Sequence, residues 1–212
     1  MQVTKLESTP VGKIEILWRF VCGHPRVVRI LLPRQNEQAA KRSALYIGKP
    51  VEQSCPEIDR LCCDIISYLN GNRIIFSLSL PELEICTPFQ RLVFTAQHQI
   101  PYGSVCSYGE LANRIGHPGA SRAVGNALGS NPFPLIIPCH RTIKADNSIG
   151  GFQGGSELKR ALLACEGVVG IRQSAWRRGH RERVSRKGAG AWVVAEPNAP
   201  RHHTEYCNQE QR

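Results

Sequence analysis

The 212-residue sequence predicts a mixed α/β chain built in two successive parts and followed by a basic tail. Three observations carry this expectation. The first third reads as β-prone runs leading into one amphipathic helix, and the middle reads as short helices with distinct start and stop signals. Residues 168–212 then become rich in Arg and Gly, with Trp176 and Trp192 set among polar neighbours.

Residues 13–21 and 27–32 are rich in β-branched and aromatic types, and Cys22-Gly23-His24-Pro25 between them has turn composition. Ser54 precedes Pro56 and the series Ile58, Leu61, Cys62, Ile65, Ile66 and Leu69, which gives one helical face; Asn70-Gly71 supplies the stop. Phe76, Leu78 and Leu80 alternate like a short half-buried strand, and residues 81–86 form the expected linker. Thr87-Pro88 pairs an N-cap with a first-turn proline, and Phe89, Leu92, Val93 and Ala96 follow on one face. Ser107-Tyr108-Gly109-Glu110 has the form of a capping box opening a helix through Arg114. Glycines 116 and 119 break it, and residues 120–128 can form another helix. Two short helices across a glycine-containing turn suggest a helix-turn-helix, whose second helix lies against the duplex in DNA-binding proteins. The expected parts are thus residues 1–84, 85–167 and 168–212.

Composition narrows the classes. No apolar run approaches membrane-spanning length, since Leu135-Ile136-Ile137 is short and bounded by prolines. The first eight residues lack a signal-peptide pattern, so the expected location is the cytoplasm, or the nucleus in a eukaryote. The nine cysteines are odd in number, include the adjacent Cys62 and Cys63, and contain no Cys-x-x-Cys pair. They read as reduced thiols rather than a disulfide framework or zinc knuckle. Cys22 and His24 make no full ligand set, and no metal is expected. A net charge of +10, most concentrated in the tail, is compatible with a polyanionic partner without requiring one.

Pro138-Cys139-His140-Arg141 follows an apolar run read as a buried strand. Cysteine nucleophiles act as thiolates, which a nearby base or positive charge must favour. Adjacent residues of an extended strand face opposite ways, so His140 reaches Cys139 more readily through water, with a carboxylate fixing its tautomer.

Residues 87–167 resemble the O6-alkylguanine-DNA alkyltransferase (methylated-DNA–protein-cysteine methyltransferase) family. The motifs are Pro101-Tyr102-Gly103, Ser107-Tyr108-Gly109-Glu110-Leu111-Ala112, Ser121-Arg122-Ala123-Val124-Gly125, Asn131-Pro132, Pro138-Cys139-His140-Arg141, Gly150-Gly151-Phe152, Gly154-Gly155 and Cys165-Glu166-Gly167, in order. The resemblance implies a cofactor-free, single-turnover transfer from O6-alkylguanine in double-stranded DNA to Cys139; O4-alkylthymine stays open as a second substrate. His140, working through water and oriented by Glu166, would deprotonate the thiol and help protonate departing guanine, with Arg141 structural and Asn131 the hinge. The helix containing Ala123 and Gly125 would enter the minor groove, and Arg122 would fill the space of the extruded nucleotide. Tyr108, the carbonyls of Cys139 and Thr142, the Gln153 N–H and the aromatic wall of Phe152 would receive the base. Phe152 stands where family members commonly carry tyrosine, and Asn126 where a second small residue is common.

The resemblance further implies an N-terminal ribonuclease-H-like αβ domain, a C-terminal winged-helix/helix-turn-helix catalytic domain, and a monomer. The tail fits a DNA-contacting extension or a dispensable appendage. A noncatalytic lesion-binding protein is the alternative; relatives of that kind lack the acceptor cysteine, which Cys139 supplies here.

Overall fold

The computed structural model describes residues 1–33 and 51–171. Of the tail, residues 172–212 lie outside the described residues, as do Trp176 and Trp192. Strands β1 (Gln2–Leu6), β2 (Ile14–Val21), β3 (His24–Leu31) and β4 (Val51–Glu52) form one sheet in the order β3-β2-β1-β4, antiparallel except for β1 with β4. The β2–β3 turn is tighter than the composition of residues 22–25 implies. Cys22 and Gly23 both take positive φ (50° and 79°), the two-residue hairpin geometry whose twist matches the strands. Pro25 is therefore inside β3, which is tolerated because β3 is an edge strand. β1 went unread: five residues with a weak alternation carry little signal beside the longer β2.

One face of β2 and β3 buries Ile14, Ile16, Trp18, Val27 and Ile30. Helix α1 (Pro56–Leu69) contributes Ile58, Leu61, Cys62, Ile65 and Leu69 to the same cluster at helical spacing, whereas Ile66, expected on that face, is rotated past its edge and exposed. The expected strand at Phe76, Leu78 and Leu80 does not form; only the end of that segment touches the sheet. Val27 N–H donates to Leu80 O and Glu82 N–H donates to Val27 O, both at 2.8 Å, which covers the free edge of β3. The predicted linker is correspondingly tied down: Glu82 is buried against Arg19, and Leu83–Ile85 forms one 3₁₀ turn.

Two of the remaining helices begin where their capping residues say. In α2 (Pro88–His98) and α3 (Tyr108–Arg114), Thr87 with Gln90 and Ser107 with Glu110 both close full capping boxes. Helix α4 (Ser121–Gly129) follows α3 after turns at Gly116 and Gly119. A two-stranded parallel pair, β5 (Cys106–Ser107) with β6 (Thr142–Ile143), and α5 (Gly155–Cys165) complete the described chain. The principal core cluster runs without a break from Ile14 to Leu162. Among the described residues no helix is long and apolar enough to cross a membrane.

Candidate active site

The apolar run before Cys139 is not a strand. Leu135 takes φ 76°, a left-handed conformation that an L side chain adopts at a cost of about 1–2 kcal/mol, and the chain folds back so that Ile137 N–H donates to Phe133 O. Asn131 holds this turn closed: its Oδ1 accepts from Phe133 N–H at 2.9 Å and its Nδ2 donates to Ile137 O at 2.9 Å. The same amide reaches Cys139 Sγ at 3.2 Å, so one buried side chain both fixes the loop and contacts the thiol.

Cys139–Arg141 forms one 3₁₀ turn rather than extended chain. The opposite-face expectation for Cys139 and His140 therefore does not apply. The turn instead buries three consecutive side chains, Cys139 against Asn131 and both His140 and Arg141 against Glu166.

His140 Nε2 lies 3.0 Å from Glu166 Oε1 and 3.0 Å from the Tyr68 hydroxyl, while its Nδ1 is buried without a hydrogen-bond partner. Arg141 Nε and Nη2 donate to Glu166 at 2.8–3.0 Å, and Nη1 donates to Ile100 O at 2.6 Å. The guanidinium also sits 5.9 Å from the centre of the Tyr102 ring. Gly103 N–H completes the carboxylate shell, donating to Glu166 Oε2 at 3.0 Å. Gly103 takes φ 76°, and a Cβ there would lie 3.1 Å from Glu166 O, so only glycine fits without a shift.

These contacts set the charges. Burial alone would raise the Glu166 carboxyl, but hydrogen bonds from His140, Arg141 and Tyr68 outweigh it and hold it at about 2. Burial lowers His140 despite the adjacent carboxylate, so the imidazole is neutral and its Glu166 contact is a hydrogen bond rather than an ion pair. Burial raises the Cys139 thiol, opposed by the Asn131 amide and the charge of Lys159. A protonated thiol thus precedes in sequence a neutral imidazole that a carboxylate orients, an arrangement compatible with a nucleophile deprotonated only on demand.

Lys159 was not legible as a site residue, yet it is fully buried on α5 and burial lowers it to about 8. Its Nζ donates to Thr142 O at 2.6 Å and Gly151 O at 3.3 Å, joining the two ends of the 142–151 loop. Gln97, also unread, is fully buried on α2; it donates to Pro138 O at 2.7 Å and accepts from the Thr142 hydroxyl. Tyr68 is the third residue missed. The signal available for Lys159 was its phase: it falls on the stripe of α5 that includes Leu162, Leu163 and Glu166.

Tyr108 stands at the start of α3, half-buried, its phenol raised by burial and by proximity to Cys139. Gly150 has φ 68° and a Cβ there would come within 3.1 Å of the Tyr108 hydroxyl, so glycine keeps this space open. The Phe152 ring lies edge-on to His140, with centroids 6.3 Å apart. The Gln153 side chain donates to Asn131 O at 2.5 Å. The Cys139 carbonyl accepts from Thr142 N–H and the Thr142 carbonyl from Lys159, leaving each one lone pair for a ligand. Arg122, Ala123 and Asn126 lie on the exposed face of α4, with Gly125 half-buried against the Tyr108 ring; no hydrogen bond draws Arg122 toward Cys139. Among the described residues no group of three or more His, Cys, Asp or Glu is gathered to hold a metal.

A family profile described as the 6-O-methylguanine DNA methyltransferase DNA-binding domain matches residues 88–168. The chain is 54% identical over 160 residues, covering 75% of its own length and 88% of the relative's, to a methylated-DNA–protein-cysteine methyltransferase of Mycobacterium bovis. It is 45% identical over 111 residues to one of Methanothermobacter thermautotrophicus, a match spanning 52% of this chain and 62% of that relative. Its fold is similar to a crystal structure of Mycobacterium tuberculosis OGT in complex with DNA, with TM-score 0.63 and 32% identity over 78% of this chain and 92% of that one.

Proposed function

Because the chain belongs to the methylated-DNA–protein-cysteine methyltransferase family, we propose that it repairs DNA by moving the alkyl group of O6-alkylguanine onto Cys139, once per molecule. The observation that carries this reading is the buried set Asn131, Cys139, His140 and Glu166, in which a thiol, a neutral imidazole and an ionised carboxylate share one turn and one helix end. His140 takes the thiol proton through water. The thiolate attacks the alkyl carbon as the O6–carbon bond breaks, a thioether forms on Cys139, and guanine leaves with a proton returned to it. The loss of the thiol makes the reaction irreversible.

The exposed face of α4 is the DNA-contacting surface in this reading, with Ala123 and Gly125 allowing close approach and Arg122 replacing the extruded nucleotide. Tyr108, Phe152, the Gln153 N–H and the carbonyls of Cys139 and Thr142 frame the base. The four-stranded sheet with α1 supports a ribonuclease-H-like N-terminal module over residues 1–84. The α3–α4 pair supports a winged-helix catalytic module over residues 85–167. The partner is double-stranded DNA and the working unit a monomer. The cytoplasm, or a nucleus, is the place where such a substrate is met.

The test is direct. After incubation with a duplex carrying one O6-methylguanine, the expected result is a single added methyl on the Cys139 peptide, saturating at one per protein and absent in Cys139→Ser. Lesion-selective binding by folded protein with no adduct would instead identify a noncatalytic lesion binder.

A further inference from the structure

Tyr68 belongs to α1, far in sequence from every motif of the site, yet its hydroxyl stands between two of the groups that move the proton. It donates to Glu166 Oε1 at 2.6 Å and lies 3.0 Å from His140 Nε2, which is itself 3.0 Å from the same carboxylate oxygen. The side chain is fully buried, so bulk solvent does not compete for these contacts.

The protons can be assigned by elimination. Arg141 and Gly103 N–H both donate to Glu166, so the carboxylate is ionised and only accepts. The Tyr68 O–H must then point at Glu166, leaving only lone pairs toward His140. Nε2 therefore faces two acceptors and nothing else; a lone pair there would meet lone pairs, so Nε2 carries the hydrogen. Nδ1 is left with the lone pair, and it is the ring nitrogen without a protein partner.

We infer that the Tyr68 hydroxyl is a third member of the His140–Glu166 pair, a positioning group that donates a hydrogen bond to Glu166, shares the His140 Nε2 hydrogen, and thereby presents Nδ1 as the base. This rests on His140 acting as the base for Cys139, as proposed above. The N-terminal part of the chain thus supplies a working piece of the site. The charged and titratable groups around the imidazole are Glu166, Tyr68, Arg141, Lys159 and Cys139; around the phenol they are Glu166, His140, Arg141, Tyr102 and Cys165. Removing the hydroxyl takes one acceptor from the imidazolium and so makes His140 a weaker base.

The experiment is the pH profile of methyl transfer from O6-methylguanine duplex by full-length wild type, Tyr68→Phe and Tyr102→Phe. Tyr68→Phe is expected to transfer about tenfold more slowly at neutral pH, with its acid limb moved to lower pH and its affinity for the duplex unchanged. Tyr102→Phe loses a hydroxyl bonded to Cys165 O at 2.9 Å, and is expected to melt earlier with an unmoved profile. A Tyr68→Phe profile that overlays the wild type, or one displaced no more than that of Tyr102→Phe, overturns the inference. Should Tyr68→Phe not fold, ¹⁵N-histidine spectra of the wild type decide: a neutral His140 protonated at Nε2 supports the assignment, and one protonated at Nδ1 rejects it. Absence of methyl transfer by the wild type would defeat the proposed function instead, and the same spectra would still judge the tautomer.

Discussion

The two halves of the molecule bury different things. Around β1–β4 and α1 the interior is Ile14, Ile16, Trp18, Val27, Ile30, Ile58 and Ile65, and Glu82 is the only buried charged residue among those described before Leu83. Between Gln97 and Glu166 the interior also takes in Asn131, His140, Arg141, Thr142, Ser148 and Lys159. Buried ions carry desolvation penalties of several kcal/mol each, and an apolar core of equal volume is often as stable. The contrast teaches that the first half is arranged for stability, while the second gives up part of it to hold buried polar and charged groups. Tyr68 is one of the places where the first half reaches into the second, and its hydroxyl meets the buried polar groups there.

Glu166→Gln should break the contrast most severely. It leaves Arg141 buried without its counter-charge, and a loss of about 3–5 kcal/mol is expected in denaturant unfolding. The same carboxyl predicts acid sensitivity. Its folded value of about 2 lies below its ordinary 4.5, so its stabilising share is complete above the ordinary range and is lost as pH falls toward 2. That decline should appear in the wild type and shrink in Glu166→Gln.

Lys159→Met sharpens the contrast from the other side. The variant removes a buried cation that favours the Cys139 thiolate, so a transfer slower by up to about tenfold is expected at neutral pH. Its change in melting should be smaller than that of Glu166→Gln, because relief of desolvation offsets the unpairing of Thr142 O and Gly151 O. The smallest effect belongs to the apolar half. Ile16→Val should cost about 1 kcal/mol of unfolding free energy and leave the transfer rate of the folded protein unchanged. A slowed transfer in that variant would show that packing in the apolar half reaches the site through the continuous core.

Helices were legible because their signals are local. Thr87 with Gln90, Ser107 with Glu110, and the periodic face from Ile58 to Leu69 each specify an element within a few residues. The errors came where tertiary contacts override such patterns. Leu135-Ile136-Ile137 looks like a strand, but Asn131 bends it into a turn; the segment with Phe76, Leu78 and Leu80 likewise packs on the core, with Phe76 buried in it, and meets the sheet by a single bridge at Pro81. Within the site, Cys139, His140, Asn131 and Glu166 were visible through motif order. Tyr68 and Gln97 were hidden because each is an unremarked member of a helix face whose partner lies tens of residues away. Lys159 was hidden because a helical lysine usually reaches solvent.

The end of α5 has one further consequence, in how the molecule breathes. Helix termini ordinarily open first and report little about global stability. Here the Tyr102 hydroxyl ties down the Cys165 carbonyl, while Glu166 is held through its side chain by Tyr68, His140, Arg141 and Gly103. The other end of α5, begun by Gly154 and Gly155, has no side-chain cap. Opening of α5 therefore starts at its glycine end, and its last turn comes apart only when Glu166 parts from Tyr68, His140 and Arg141. Loss of order there and loss of the buried hydrogen-bond network become a single event.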